Sequence, residues 1–313
     1  MTVNIPKTNA VQFKAPFEEV SGVLLLNKPF GLTSNTALQR ARHLLRAKKA
    51  GHTGTLDPHA TGLLPLCFGE ATKFSQWILD APKGYIATLK LGYVSDTLDG
   101  EGVISKYSDV NIDLSQVEGV LNAMIGVQHQ TPPMHAAIKV QGKPLYSYAR
   151  SGQTIERQPR VIDILRCRLI SLDTDLLTIE CLVSKGTYIR VMASDIGEKL
   201  GCGAYLTALQ RVSTGPYQLH DAVELSDLMA MSETKRRECL LPSDSLLSGV
   251  SSLHLDSVHA EDMKCGRIIT LSEYKPLGLY KVYDPLNCFL GLCELFTENK
   301  LRPIRLMATH TQK

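Results

Sequence analysis

Apolar positions along this chain alternate between two patterns. Gly22 to Asn27 (Gly-Val-Leu-Leu-Leu-Asn) is a short, dense apolar run, which predicts a buried strand. Lys28-Pro29-Phe30-Gly31 ends it in a turn, and Ser34 is the expected cap of the next helix. From Thr36 to Arg46, Ala37, Leu38, Ala41, Leu44 and Leu45 recur at helical spacing, with basic residues on the other face. Leu63 to Phe68 reads as a strand and Ala71 to Leu79 as a helix. A strand from Lys83 to about Leu91 comes next, where Tyr85 has an ordinary core-packing reading. A polar turn follows over Thr97 to Gly102. Asp113, with Gln116 three residues on, predicts a boxed helix start.

Past Gln130 the pattern breaks at Thr131-Pro132-Pro133, and Leu145 to Gly152 predicts a short helix with a glycine stop. The segment 130–155 carries Lys139, Lys143 and Arg150 with Tyr146 and Tyr148, and no acid. Basic residues mixed with aromatics in a protruding flap suit nucleic acid. Arg160 to Leu172 and Leu176 to Val183 read as a hairpin. Arg190 sits at a strand-to-helix junction, the helix runs to Leu200, and a strand follows over Tyr205 to Val212. A helical region over roughly 221–241, a serine-rich linker over 242–252 and a small β-rich module from Leu253 complete the chain. Residues 1–20 read as a loose leader.

The 313 residues, 44% apolar and 21% charged, describe an ordinary globular protein with one large domain and one small one. There is no apolar run of membrane-spanning length and no secretory pattern near the start, so the cytoplasm is the expected location. No oligomerisation signature is present, and a monomer is expected. The eight cysteines are scattered without a Cys-x-x-Cys pair, which is poor zinc spacing and predicts reduced, buried packing residues. Net charge is only +3, yet Arg40, Arg42, His43, Arg46, Lys48 and Lys49 follow one another without an acid. Such a ridge predicts phosphate binding.

That ridge leads into Gly51-His-Thr-Gly-Thr-Leu-Asp57-Pro-His-Ala-Thr-Gly62. Three glycines and a proline exclude a regular element. Asp57 is the only acid in a loop dense with imidazoles and hydroxyls. A carboxylate so placed can be nucleophile, general base, metal ligand or turn-former. Arg190 offers a guanidinium fork for a carboxylate. His52, Asp57 and His59 raise a metal-dependent hydrolase as a rival, although their spacing gathers no common face.

Taken together these residues resemble the TruB family of bacterial tRNA pseudouridine-55 synthases. The resemblance rests on Gly22 to Pro29, the Asp57 loop, Gly69-Glu-Ala-Thr-Lys-Phe-Ser75, Tyr146-Ser-Tyr-Ala-Arg150, Ser184-Lys-Gly-Thr-Tyr-Ile-Arg190, Leu200 to Ala204 and Leu209-Gln-Arg211. It implies an α+β fold with a mixed, mostly antiparallel central sheet and flanking helices over residues 1–248, with 130–155 as an RNA-gripping insertion. A small PUA-like RNA-binding domain is expected over 249–313. It also implies isomerisation of a T-loop uridine of tRNA to pseudouridine, without metal or organic cofactor. The family's nucleophilic aspartate falls on Asp57, its base-stacking tyrosine on Tyr85, and the arginine paired with the aspartate on Arg190. Substrate contacts are expected at His52, Tyr188 and Leu209, with Lys28 and Lys73 as further candidates.

Departures from the family pattern are Asn27 for an aspartate, His59 for an aliphatic residue and Gly84 for a basic one. The expected Asp57–Arg190 pair would lower the carboxyl pKa and keep Asp57 ionised. Covalent attack at C1′ and elimination through a glycal both remain open. A non-catalytic RNA-binding protein is the second rival.

Overall fold

A computed structural model describes residues 16–308 apart from Ala137, Gln141 and Glu298. The predicted first strand spans Gly22–Lys28 and is almost wholly buried. It pairs antiparallel with Ala60–Phe68, residue for residue from Gly22 opposite Phe68 to Lys28 opposite Gly62. From there the central sheet runs through Ala204–Thr214, Lys83–Leu91, Leu176–Val183, Arg160–Asp173 and Gly126–Gln130. The pairs of this sheet are antiparallel except two, Ala60–Phe68 with Ala204–Thr214 and Gly22–Lys28 with Val223–Glu224. This is the expected mixed, mostly antiparallel sheet.

Helices cover its faces by burying one stripe each. In Ser34–Leu44 the buried residues are Ser34, Ala37, Leu38 and Ala41, the i, i+3, i+4, i+7 row of an amphipathic helix. The helix Leu114–Ala123 starts with the predicted box, Asp113 accepting from Gln116 N–H and the Gln116 side chain accepting from Asp113 N–H, both at 2.8 Å. Ile189–Lys199 buries Ile189, Met192, Ala193 and Ile196 against the same core as Tyr85, Ala87 and Leu89.

Several expectations are corrected. Thr33, not Ser34, caps the first helix, accepting from Thr36 N–H at 3.0 Å. The predicted helix over Ala71 to Leu79 is a 3-10 turn, Gly69–Phe74, followed by the short helix Ser75–Asp80. The region 221–241 breaks into Leu225–Ala230 and Glu233–Glu238, because Ser232 caps a second start. The stretch 242–252 is no loose linker: Ser243–Leu247 is a 3-10 turn that buries Leu246 and Leu247.

Residues 16–20 are not loose either. Glu18 N–H donates to Arg46 O at 2.6 Å, and Val20 is buried. The rest of the expected leader lies outside the described residues. Glu18 and Glu233 pair with Arg46, and Glu19 pairs with Lys48, so the basic ridge is not acid-free in space. The cysteines divide: Cys67, Cys167, Cys181, Cys202 and Cys293 are buried, Cys239 is half-buried, and Cys265 and Cys288 are exposed.

Past residue 250 a separate five-stranded sheet forms from Ser251–His254, Gly278–Tyr283, Phe289–Thr297, Lys300–Leu306 and Ile269–Thr270. Phe289 reaches from it to Phe74, ring centroids 5.4 Å apart. In the 130–155 segment, Lys139–Val140 pairs with Lys143–Pro144 ahead of the short helix Leu145–Arg150. The side chains of Lys139, Tyr146 and Arg150 lie outside the described residues.

Candidate active site

The loop that carries Asp57 is held on both sides of that residue. Leu56 before it is buried, and its backbone is gripped by Ser34: the Ser34 hydroxyl accepts from Leu56 N–H at 2.7 Å and lies 3.0 Å from Leu56 O. Pro58 after it offers a carbonyl to Gly31 N–H at 2.8 Å and to the Lys28 ammonium at 3.2 Å. Ala60 N–H closes the turn on Asp57 O at 3.1 Å. Backbone polar groups left unpaired in a buried place cost free energy, so these bonds favour this one course of the loop.

Lys28 is fully buried, and its ammonium also donates to Leu32 O at 2.6 Å and Pro29 O at 3.0 Å. Burial pulls its pKa down to about 8, against the pull of Asp57 in the other direction. Its role here is to hold the loop from beneath. Lys73 stands elsewhere: its ammonium meets Glu70 at 2.6 Å and Leu306 O at 2.9 Å, at the joint with the C-terminal sheet.

Arg190 enters from the first turn of Ile189–Lys199 and is buried. Its Nε lies 3.2 Å from Asp57 Oδ2, its Nη1 3.1 Å from Asp99 Oδ2, and its Nη2 donates to His135 O at 2.9 Å. One guanidinium therefore knits together the loop, the polar turn and the start of the 130–155 segment. Asp99 is turned towards it by Thr97 Oγ1 and by Glu101 N–H at 3.0 Å. The strand-to-helix junction is set by Gln130, whose amide accepts from Tyr188 N–H at 2.7 Å and donates to Tyr188 O at 3.1 Å.

Sheet register supplies the remaining walls. Tyr85 lies opposite Arg211, and Ala87 opposite Leu209, so Tyr85, Leu209 and Arg211 share one face of the sheet. Arg211 is buried and spends its guanidinium on carbonyls, Leu63 O at 2.7 Å and Gly54 O at 3.2 Å. Gly62 is needed here: at φ +101° a Cβ would come within 2.3 Å of Arg211 O. Asp57, Tyr85, Tyr188, Arg190, Leu209 and Arg211 line one cavity of about 360 Å³. Cavities of some 300–1,000 Å³ are the usual size of ligand sites. His52 lines a second recess that also reaches Asp57 and Arg190. Among the described residues its Nδ1 is buried without a partner. Burial lowers its pKa, and nearby Arg211 adds to this, so the ring favours the neutral form.

Asp57 corrects one expectation. Its side chain is 45% exposed, but into a walled recess rather than open water. Loss of hydration there raises its pKa, and Arg190, pulling downward, does not overcome it. Asp99 pushes the same way as burial. Burial also raises the Tyr188 pKa. Lys83, which also lines the cavity, gives its ammonium to Ile78, Leu79 and Ala81 carbonyls, and burial takes its pKa to about 8. His59 does not join His52: its ring stacks on Phe30, and its Nδ1 faces Glu101 at 3.1 Å.

So the structure brings together Asp57, Tyr85, Arg190, Tyr188 and Leu209, with His52 alongside. Asp99, Ser34, Gln130 and Arg211 belong to the same arrangement and were not singled out as site residues from the sequence. Asp99 stood in a polar turn rich in glycine, where an acid is commonplace. A signal for Ser34 was its place in a buried helix stripe, where a hydroxyl needs a partner.

Comparison with known proteins identifies what the chain as a whole is similar to. Residues 42–189 match the N-terminal domain of the TruB family pseudouridylate synthases. Residues 190–248 match the tRNA pseudouridylate synthase B C-terminal domain, and 251–307 the C-terminal region of pseudouridine synthase II TruB. The chain is 49% identical over 269 residues to the tRNA pseudouridine synthase B of Dechloromonas aromatica (strain RCB), covering 86% of this chain and 89% of that one. It is 47% identical over 292 residues to the protein of the same name from Thiobacillus denitrificans (strain ATCC 25259 / T1), covering 93% and 97%. In fold it is similar to a chain of a Cbf5-Nop10-Gar1 complex, with a TM-score of 0.68 at 21% identity, covering 91% of this chain and 84% of that one.

Proposed function

The chain belongs to the TruB family of pseudouridylate synthases, and from that premise we propose that Asp57 carries out the isomerisation of uridine to pseudouridine in tRNA. The target is the T-loop uridine at position 55, presented by the T-arm to a monomeric enzyme. Residues 1–248 form the catalytic domain, and 249–313 a PUA-like domain that adds grip on the RNA backbone. The observation that carries this reading is the 3.2 Å ion pair of Asp57 with a buried Arg190, in a cavity that also holds Tyr85 and Leu209.

The reaction breaks the bond between N1 of the base and C1′ of the ribose, turns the base, and joins C5 to C1′. C5 then loses its proton and N1, freed from the ribose, takes one up, so the product is an isomer of the substrate. Between the two bonds C1′ is electron-poor. An ionised carboxylate can meet it covalently or as a counter-charge, as in glycoside chemistry. Asp57 supplies that carboxylate, and Arg190 aims it. The base must leave its stack to reach Asp57, and the Tyr85 ring gives it a new face, worth ~1–3 kcal/mol. Leu209 supplies an apolar wall, and Tyr188 and His52 hold the nucleotide around it. Lys28 and Ser34 act one step back, on the backbone of the loop.

The test is to incubate the protein with unmodified tRNA and map pseudouridine by chemical sequencing. A single product at the T-loop uridine is expected. Product at another uridine contradicts the substrate assignment, and absence of any product contradicts the activity.

A further inference from the structure

The chemistry above uses neither Phe30 nor His59. Their rings are stacked in parallel, centroids 4.8 Å apart and planes within 7°. Both sit on turns fixed to one carbonyl, since Pro58 O accepts from Gly31 N–H and from the Lys28 ammonium. Glu101 holds the His59 ring from its edge at 3.1 Å. The two rings are therefore already stacked in the protein alone. The pair is also open: Phe30 is 65% exposed although His59 covers one face of its ring. A phenyl ring held in water by a built framework asks for a flat apolar partner. A recess of about 180 Å³ runs from Phe30 and His59 to Asp57, Arg190 and Leu209.

We propose that Phe30 and His59 form a stacking platform for the base of a nucleotide next to the target uridine, a proposal that rests on the reading of Asp57 as the reacting carboxylate. Turning one nucleotide out of a loop strips a stacking face from its neighbours. RNA leaving the Asp57 cavity on either side must cross its rim, and the platform lies on that rim. Stacking on aromatic faces tolerates any base, so the platform strengthens binding without reading sequence. Phe30 acts in binding and does not touch the reacting atoms.

The experiment uses the full-length protein and stem-loop RNAs carrying 2-aminopurine on either side of the target uridine. Wild type should quench the fluorescence at one of these positions, and Phe30→Ala should abolish that quench. Phe30→Ala should also raise KM about tenfold while the single-turnover rate at saturating RNA changes by less than about twofold. Phe30→Tyr should restore both quench and KM. A quench and KM indifferent to Phe30→Ala overturn the platform. So does a fall in the saturating rate with KM unchanged, which would mark Phe30 as a support of the loop. Wild type that leaves the uridine unconverted in the same assay is a separate result: it removes the function on which the platform stands.

Discussion

Asp57 and Asp99 share one cation: Arg190 reaches the first at 3.2 Å through Nε and the second at 3.1 Å through Nη1. The two carboxylates differ in burial, with Asp57 45% exposed and Asp99 15%. Asp99 thus locks the guanidinium from the closed side, leaving Asp57 at the open one. Its negative charge also raises the Asp57 pKa, in the same direction as burial.

That coupling has a direction in pH. With Asp57 as the proposed reacting carboxylate, only its ionised form is active, so activity should fall as pH drops through its raised pKa, above the ordinary value of 3.8. Removing the Asp99 charge lowers the Asp57 pKa. The acidic limb of kcat/KM for Asp99→Asn should therefore move to lower pH, even if the plateau drops. A pH–rate profile checks this, and a limb that moves to higher pH contradicts it.

The same raised pKa bears on stability. Folded protein holds the Asp57 proton more tightly than the unfolded chain does. Stability from this group is therefore lost as pH rises from the unfolded value through the raised folded one, and ionised Asp57 is a standing cost at neutral pH. Asp57→Asn should melt at or above the wild-type temperature at pH 7, with activity removed. Calorimetry decides it, and a lower Tm contradicts the account.

The anchors of the loop should separate stability from chemistry. Ser34→Ala leaves the buried N–H and C=O of Leu56 without their partner, at a cost of roughly 1–3 kcal/mol. Lys28→Met strips the ammonium from three carbonyls and should cost a similar amount, about 1–3 kcal/mol. Both should lower kcat more than they raise KM, because Asp57 is displaced and the RNA-facing surface is not. Urea unfolding together with steady-state kinetics tests this, and a rise in KM alone would mean direct contact with RNA.

The long central strands and the helices Leu114–Ala123 and Ile189–Lys199 were legible because their apolar spacing is imposed by burial: Gly22–Lys28 and the 160–183 hairpin fall almost where the pattern puts them, whereas the short strands Ala50–His52 and Gly126–Gln130 gave no such signal. Asp57, Tyr85 and Arg190 were legible through motif resemblance, and the structure places Asp57 and Arg190 in contact and Tyr85 in their cavity. What spacing could not carry is long-range pairing. The basic ridge meets Glu18, Glu19 and Glu233 only in three dimensions. Lys28 resembles a substrate cation in sequence, but its depth turns it onto carbonyls. The sign of the Asp57 pKa shift was missed for a related reason: a sequence shows a partner for the charge but not the loss of water around it.

The central claim is that the Asp57 carboxylate performs the isomerisation while other groups hold the RNA. Single-turnover conversion of a tRNA T-arm, measured beside its binding to the same preparation, tests it most directly. Asp57→Asn should bind the RNA as wild type does and convert it at least about ten-thousandfold more slowly. Conversion by Asp57→Asn within an order of magnitude of the wild-type rate would contradict the claim.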